Sequence, residues 1–200
     1  HGDGSKTSQW RQNQALPCYL YGFAAGKFKE VRQQAGATHL RFLSPPDFSD
    51  TEIATIFQET QAMLEFYQDK SGIPYPASTY TQVLVSAAAA QEVDGFAIMS
   101  EKYARRVLEN PSHVWLIAHE LSHQWWGNYV TNQAWTEFWL NEGIASFLNA
   151  AFLEHRYGKA RYDKQIQATL ASYNDLKARG ADKPLVFSSW TSPGADDRAI

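Results

Sequence analysis

The chain has 200 residues, 44% of them hydrophobic, enough for one sizeable core but not for two full domains. Its formal net charge of −3 and lack of long like-charge blocks offer no electrostatic footprint for nucleic acid or an anionic membrane. No apolar run approaches the roughly 18 to 20 residues that a membrane-spanning helix needs, and one cysteine, Cys18, allows neither an internal disulfide nor a cysteine-built zinc cluster.

The first 17 residues contain no basic-then-apolar targeting segment. They read as the tail of a preceding segment or a cloning remnant, and nothing in them specifies a compartment. From Cys18 to Val31 and from Thr38 to Leu43, apolar and aromatic runs broken by Gly22, Gly26 and Gly36 predict strands. Cys18 itself is expected to be a small buried hydrophobe. Ser49-Asp50-Thr51-Glu52 has the form of a capping box. Ile53, Ile56, Phe57, Thr60, Met63, Leu64 and Tyr67 then follow at helical spacing up to a stop near Gly72 and Pro74. Thr79 to Ser86 and Gly95 to Met99 read as strands.

Asn110-Pro111 predicts a helix start, with the run to Trp126 helical and closed by Gly127. A further helix begins near Thr136, presents Leu140, Ile144, Phe147, Leu148 and Phe152, and stops at Gly158. The last runs from about Ala160 to Arg179. Strands first and helices afterwards predict an α+β fold, a small mixed sheet followed by helices.

The chemistry lies in His119-Glu120-Leu121-Ser122-His123. A separation of four puts both imidazoles on one helix face, where two nitrogens can reach one ion at about 2.0 to 2.1 Å. Glu120, beside the first ligand, is the natural acceptor for a proton from water that the metal activates. A catalytic zinc needs a third protein ligand and an open position, and Glu142 in Trp139-Leu140-Asn141-Glu142-Gly143, 19 positions after His123, supplies it. The expected ion is one Zn2+ per chain, for which a four-coordinate site of two histidines and a glutamate is the usual arrangement, although such a site also binds cobalt, nickel or manganese. Trp125, Trp126, Trp135 and Trp139 are expected to pack and hold the helix spacing.

The run from His119 through Gln124-Trp125-Trp126-Gly127-Asn128, followed by Val130-Thr131 and then Trp139 to Gly143, resembles the aminopeptidase N family of gluzincin metallopeptidases. That family also includes leukotriene-A hydrolase. The resemblance is most specific over residues 119 to 143 and extends from about Cys18 to Phe152. It implies a thermolysin-like catalytic domain over residues 18–200, incomplete at its C-terminal end, with Tyr19 to Val31 as its opening strand. It further implies a peptide substrate with a free N-terminus, bound by a glutamate in a Gly-x-Met-Glu-Asn segment. That segment is altered here: Ala89-Ala90-Gln91-Glu92-Val93 offers Glu92, whereas aligning on the following Phe96-Ala97-Ile98-Met99 offers Asp94. A carboxylate at that rim would pair with an ammonium and count off one residue to the scissile bond.

The family's oxyanion-stabilising tyrosine would fall just past Ile200, and Tyr157, Tyr162 and Tyr173 come too early for it. Asn149 occupies a position that is often acidic in the family and supports a histidine ligand. The reading implied is a zinc aminopeptidase in which metal-activated water attacks the first peptide bond with Glu120 as general base. The alternatives are an endopeptidase or other gluzincin hydrolase, and a poorly active zinc-binding fragment. Side-chain preference and oligomeric state have no sequence signal.

Overall fold

In a computed structural model, which describes residues 1–9, 11–87 and 90–188, a five-stranded mixed sheet precedes the helices that carry the predicted chemistry. Strands β1 (Lys29–Ala35) and β2 (Thr38–Ser44) form an antiparallel hairpin from Lys29↔Ser44 to Ala35↔Thr38. Its two-residue turn has Gly36 at φ +57° in the first central position, a conformation that an L side chain rarely adopts. Strand β3 (Thr79–Val85) pairs parallel to β2, and the short β4 (Gln91–Val93) and β5 (Phe96–Ser100) form a second hairpin. With β5 parallel to β3, the sheet order is β1-β2-β3-β5-β4, leaving β4 at an edge.

Between β2 and β3 the chain crosses over through α1 (Asp50–Ile56) and α2 (Thr60–Ser71). The expected capping box is present: Ser49 Oγ accepts from Glu52 N and Glu52 accepts from Ser49 N. Sequence spacing predicts one helix here, but the chain breaks at 57–59. The break lets buried Phe57 stack on Phe42, with ring centroids 4.8 Å apart, and brings Glu59 to Arg156, whose guanidinium donates to it twice, at 2.7 and 3.1 Å. All seven apolar-stripe residues from Ile53 to Tyr67 are buried, as the spacing requires.

Three further expectations are corrected. No strand begins at Cys18: Cys18–Leu20 is a single 3-10 turn, the sheet starts at Lys29, and Cys18 is exposed because that turn buries Leu20 instead. The helix α3 (Glu101–Glu109), capped by Ser100 Oγ accepting from Tyr103 N, was not expected. Asn110 starts no helix: it is instead the C-cap of α3, its N–H donating to Arg106 O at 3.0 Å, while its Oδ1 accepts from Ser112 N and Ser112 Oγ in a turn, and α4 (Trp115–Ser122) starts only five residues later.

The remaining helices, α5 (Trp139–Tyr157) and α6 (Lys159–Ala178), match their expected bounds closely. Leu148 and Phe152 of α5 enter the core, whereas Phe147 and Leu140 are exposed. The core lies between the sheet and α2, α4 and α5, with Tyr67, Tyr75, Trp125 and Phe152 at its centre. Burying each such ring stabilises by about 1.5–3 kcal/mol. Tyr67 donates to Ala118 O at 2.8 Å and Trp125 Nε1 donates to Ile73 O at 2.9 Å, which fixes the depth of α4 against α2. No helix among the described residues is long and apolar enough to cross a membrane. The end of the expected 18–200 unit, beyond residue 188, lies outside the described residues.

Candidate active site

Helix α4 is eight residues long, and Val114 at its N-cap makes no side-chain cap hydrogen bond. The buried hydroxyl of Tyr103, on α3, takes that role by accepting from Leu116 N at 3.1 Å and donating to His113 O at 2.6 Å. At the other end, His123 is the C-cap residue and keeps helical dihedrals of φ −58° and ψ −22°. His119 and His123 therefore remain one turn apart on the same face, their rings edge to face at 88°. Their ring centroids are 4.5 Å apart and their Nε2 atoms 3.0 Å apart.

His123 Nδ1 lies 3.1 Å from Trp126 O. A carbonyl can only accept, so Nδ1 carries the proton and Nε2 presents its lone pair. Burial, and then neighbouring His123, push His119 below the ordinary histidine range, although Glu142 pulls it the other way. His119 is thus neutral near pH 7, the form that binds a cation. Glu142, in the first turn of α5, places Oε2 3.3 Å from His119 Nε2.

The turn between the two helices is held by backbone bonds. Gly127 N donates to Val130 O at 2.8 Å, Val130 N to Trp125 O at 2.9 Å and Asn128 N to His123 O at 3.0 Å. Gly127 is required twice over: its φ is +131°, and a Cβ there would collide with Asn141 Oδ1 and lie 3.2 Å from His123 Nδ1. Asn141, next to Glu142, donates to Tyr19 Oη at 3.2 Å, and that hydroxyl lies 3.5 Å from Gly127 O as a donor. This ties the 3-10 turn, the glycine turn and α5 together. Burial raises the Tyr19 pKa, and the charges of Glu92 and Glu142 add to the effect.

One cleft of about 860 Å³ opens over these groups, lined by His119, Glu120, His123 and Glu142 and, from β4, by Glu92. One ligand atom from each of His119, His123 and Glu142 lies within 4.8 Å of the others, and the same holds for Glu92, Glu120 and His123. A tetrahedral ion with bonds near 2.0–2.1 Å spaces its ligands about 3.3 Å apart. The observed 3.0 and 3.3 Å separations, and a donor set of two imidazoles and a carboxylate, fit zinc.

Of the two acidic residues considered for the rim, Glu92 is buried and lines the cleft. Asp94 is not among the lining residues. It sits in the β4–β5 turn, accepts a hydrogen bond from the Gln12 side chain and has its carboxyl pushed up by burial. Ala89, in the alignment that selects Glu92, lies outside the described residues. Trp125, Trp126, Trp135 and Trp139 pack around the site without lining the cleft. Asn149 lines the cleft and is buried, and its Oδ1 has no hydrogen-bond partner among the described residues.

Motif spacing carries no signal for the partners of Tyr19, Tyr103 and Asn141: Asn141 stands inside a motif segment but its bond to Tyr19 spans 122 positions, and Tyr103 lies on α3, which the Asn110-Pro111 signal obscures.

Comparison with known proteins identifies the family and the fold. A profile described as "Peptidase family M1 domain" matches residues 56–195. The chain is 31% identical over 180 residues to leucine aminopeptidase 2 of Vanderwaltozyma polyspora, covering 88% of the chain and 26% of that protein. It is 28% identical to leukotriene A-4 hydrolase of Xenopus laevis, over 90% of the chain and 29% of that protein. Its fold is similar to an M1 zinc metallopeptidase from Deinococcus radiodurans, with a TM-score of 0.57 at 24% identity, covering 81% of this chain and 35% of that one. The chain belongs to peptidase family M1. It spans between a quarter and a third of the length of these two curated relatives.

Proposed function

We propose that this domain belongs to a zinc aminopeptidase in which His119, His123 and Glu142 hold one zinc ion, Glu120 is the general base and Glu92 receives the substrate's α-ammonium. The observation that carries the reading is the meeting of three ligand atoms, a buried Glu120 and a buried Glu92 in one cleft. Zinc, when bound, supplies Lewis acidity, lowering the pKa of water it holds from 15.7 to about 7.

The chain's own residues do the rest. His123 is held in its ligating tautomer by Trp126 O. Glu120 accepts a proton as water adds to the scissile carbonyl and returns it to the departing amine. Glu92, close enough for its carboxylate to share the surroundings of Glu120 and His123, pairs with an ammonium one residue from that carbonyl. A substrate blocked at its N-terminus leaves the buried Glu92 carboxylate, which accepts from Gln91 Nε2 at 2.8 Å, without an opposite charge, a penalty that enforces removal of single residues.

The test compares an aminoacyl reporter with its N-acetylated form, alongside Glu120→Gln. The reading requires rejection of the acetylated reporter. It also requires a loss of turnover in Glu120→Gln of about 10²–10⁴-fold with metal retained. Equal cleavage of both reporters would instead identify an endopeptidase or another hydrolase of this class.

A further inference from the structure

Glu92 stands on the least supported strand of the sheet. Strand β4 has three residues, lies at an edge and, among the described residues, pairs only with β5, from Gln91↔Ile98 to Val93↔Phe96. So few ladder bonds define its position weakly, because edge strands are held from one side only. A side chain from the end of the metal helix ties it to the metal ligands.

Gln124 follows His123 directly and is 2% exposed. Its Nε2 donates to Val93 O and its Oε1 accepts from Gly95 N, both at 3.0 Å. The primary amide thus bridges a backbone carbonyl and a backbone N–H of the β4–β5 turn, as a neighbouring strand would. Only a side chain with both a donor and an acceptor at this reach can do so. Glutamate lacks the donor, methionine lacks both, and asparagine is one methylene short. The turn has two other backbone ties, Asp94 N to Leu20 O at 3.1 Å and Thr81 N to Gly95 O at 3.1 Å, and neither reaches α4.

We infer that Gln124 is a positioning residue that fixes the span between the Glu92 carboxylate and the metal ligands, and so sets the one-residue measure of the enzyme. It acts through Glu92 and touches neither substrate nor metal. The inference rests on the proposed role of Glu92 as the amine acceptor. A charged hydrogen bond is sensitive to small displacements of its acceptor, so loosening the turn weakens the hold on an ammonium while the ligand set is left intact.

The test is binding, not turnover. The zinc-loaded chain, carrying Glu120→Gln in every sample so that leucinamide is bound but not hydrolysed, is titrated with L-leucinamide and with N-acetyl-L-leucinamide by NMR. Metal content is measured on every sample, and wild type here means Gln124 in that background. In wild type leucinamide binds more tightly. In Gln124→Met the ratio of the two affinities falls about 10- to 100-fold with zinc content unchanged, and Gln124→Glu, which keeps the Gly95 bond alone, falls between. A wild-type ratio in Gln124→Met overturns the inference, and if Glu92→Gln still lowers the ratio it overturns this inference alone. A ratio of one in wild type overturns the role of Glu92 and this inference with it. Should Gln124→Met fail to fold, amide exchange in the wild-type chain decides: leucinamide, but not its acetylated form, slows exchange of the Gly95 N–H. Exchange indifferent to leucinamide overturns the coupling.

Discussion

Tyr103→Phe removes one oxygen atom and tests whether α3 holds the start of the metal helix. The hydroxyl makes two bonds, donating to His113 O at 2.6 Å and accepting from Leu116 N at 3.1 Å, at a residue only 5% exposed. Each bond contributes about 1 kcal/mol net, and each buried group left without a partner costs about 1–3 kcal/mol. Leu116 N is one of the orphan donors of the first helical turn, so its loss resembles loss of an N-cap, typically about 1 kcal/mol. The expected destabilisation is about 2–4 kcal/mol, read as a lower urea midpoint at unchanged slope. Tyr67→Phe is the comparison, since it loses one bond, to Ala118 O at 2.8 Å, in the middle of the same helix and should cost roughly half as much. Zinc affinity should fall further in Tyr103→Phe than in Tyr67→Phe, because fraying at Trp115 and Leu116 misaligns His119 one turn later. A Tyr103→Phe protein within about 0.5 kcal/mol of wild type would refute the capping argument.

Two other perturbations probe separate parts of the molecule. Gly127→Ala places a Cβ against Asn141 Oδ1 at a φ of +131° and should cost about 2–4 kcal/mol. Because the same Cβ lies 3.2 Å from His123 Nδ1, zinc should bind about 10- to 100-fold more weakly, measured by competition with a chromophoric chelator. Glu30 accepts from Arg41 and Arg32, which hold its carboxyl at about 2 against an ordinary 4.5. A value lowered on folding gives stability that is present above about 4.5 and is lost as pH falls towards 2. Glu30→Gln should therefore show a shallower loss of stability across that window, followed by circular dichroism in urea at stepped pH.

Local patterns announced most of the fold, and cooperative packing hid the remainder. The Ser49 capping box and the stripe from Ile53 to Tyr67 are spacing signals, and both are present. The break at 57–59 was not legible because Phe57 and Glu59 satisfy helical periodicity while their partners, Phe42 and Arg156, are distant in sequence. Asn110-Pro111 has the form of a helix start, yet Asn110 spends its side chain on Ser112. That strong local signal masked α3, whose Ser100 cap precedes Tyr103, Ala104 and Val107. At the site, the spacing of His119, His123 and Glu142 points to a cluster, and the fold brings these three side chains together. The choice between Glu92 and Asp94 stayed open because it depends on where the turn falls. Asp94-Gly95 is itself a hairpin turn pair, and reading it so would have put Asp94 in the turn and Glu92 on the strand.

Whether three side chains from two helices make one zinc site is decided by metal content, measured by mass spectrometry on the chain purified without added metal beside His123→Ala and Glu142→Ala. One zinc per chain is expected in wild type, with its loss in both variants and α-helical circular dichroism retained. A wild-type chain without zinc, or zinc that persists in Glu142→Ala, would contradict a three-ligand site.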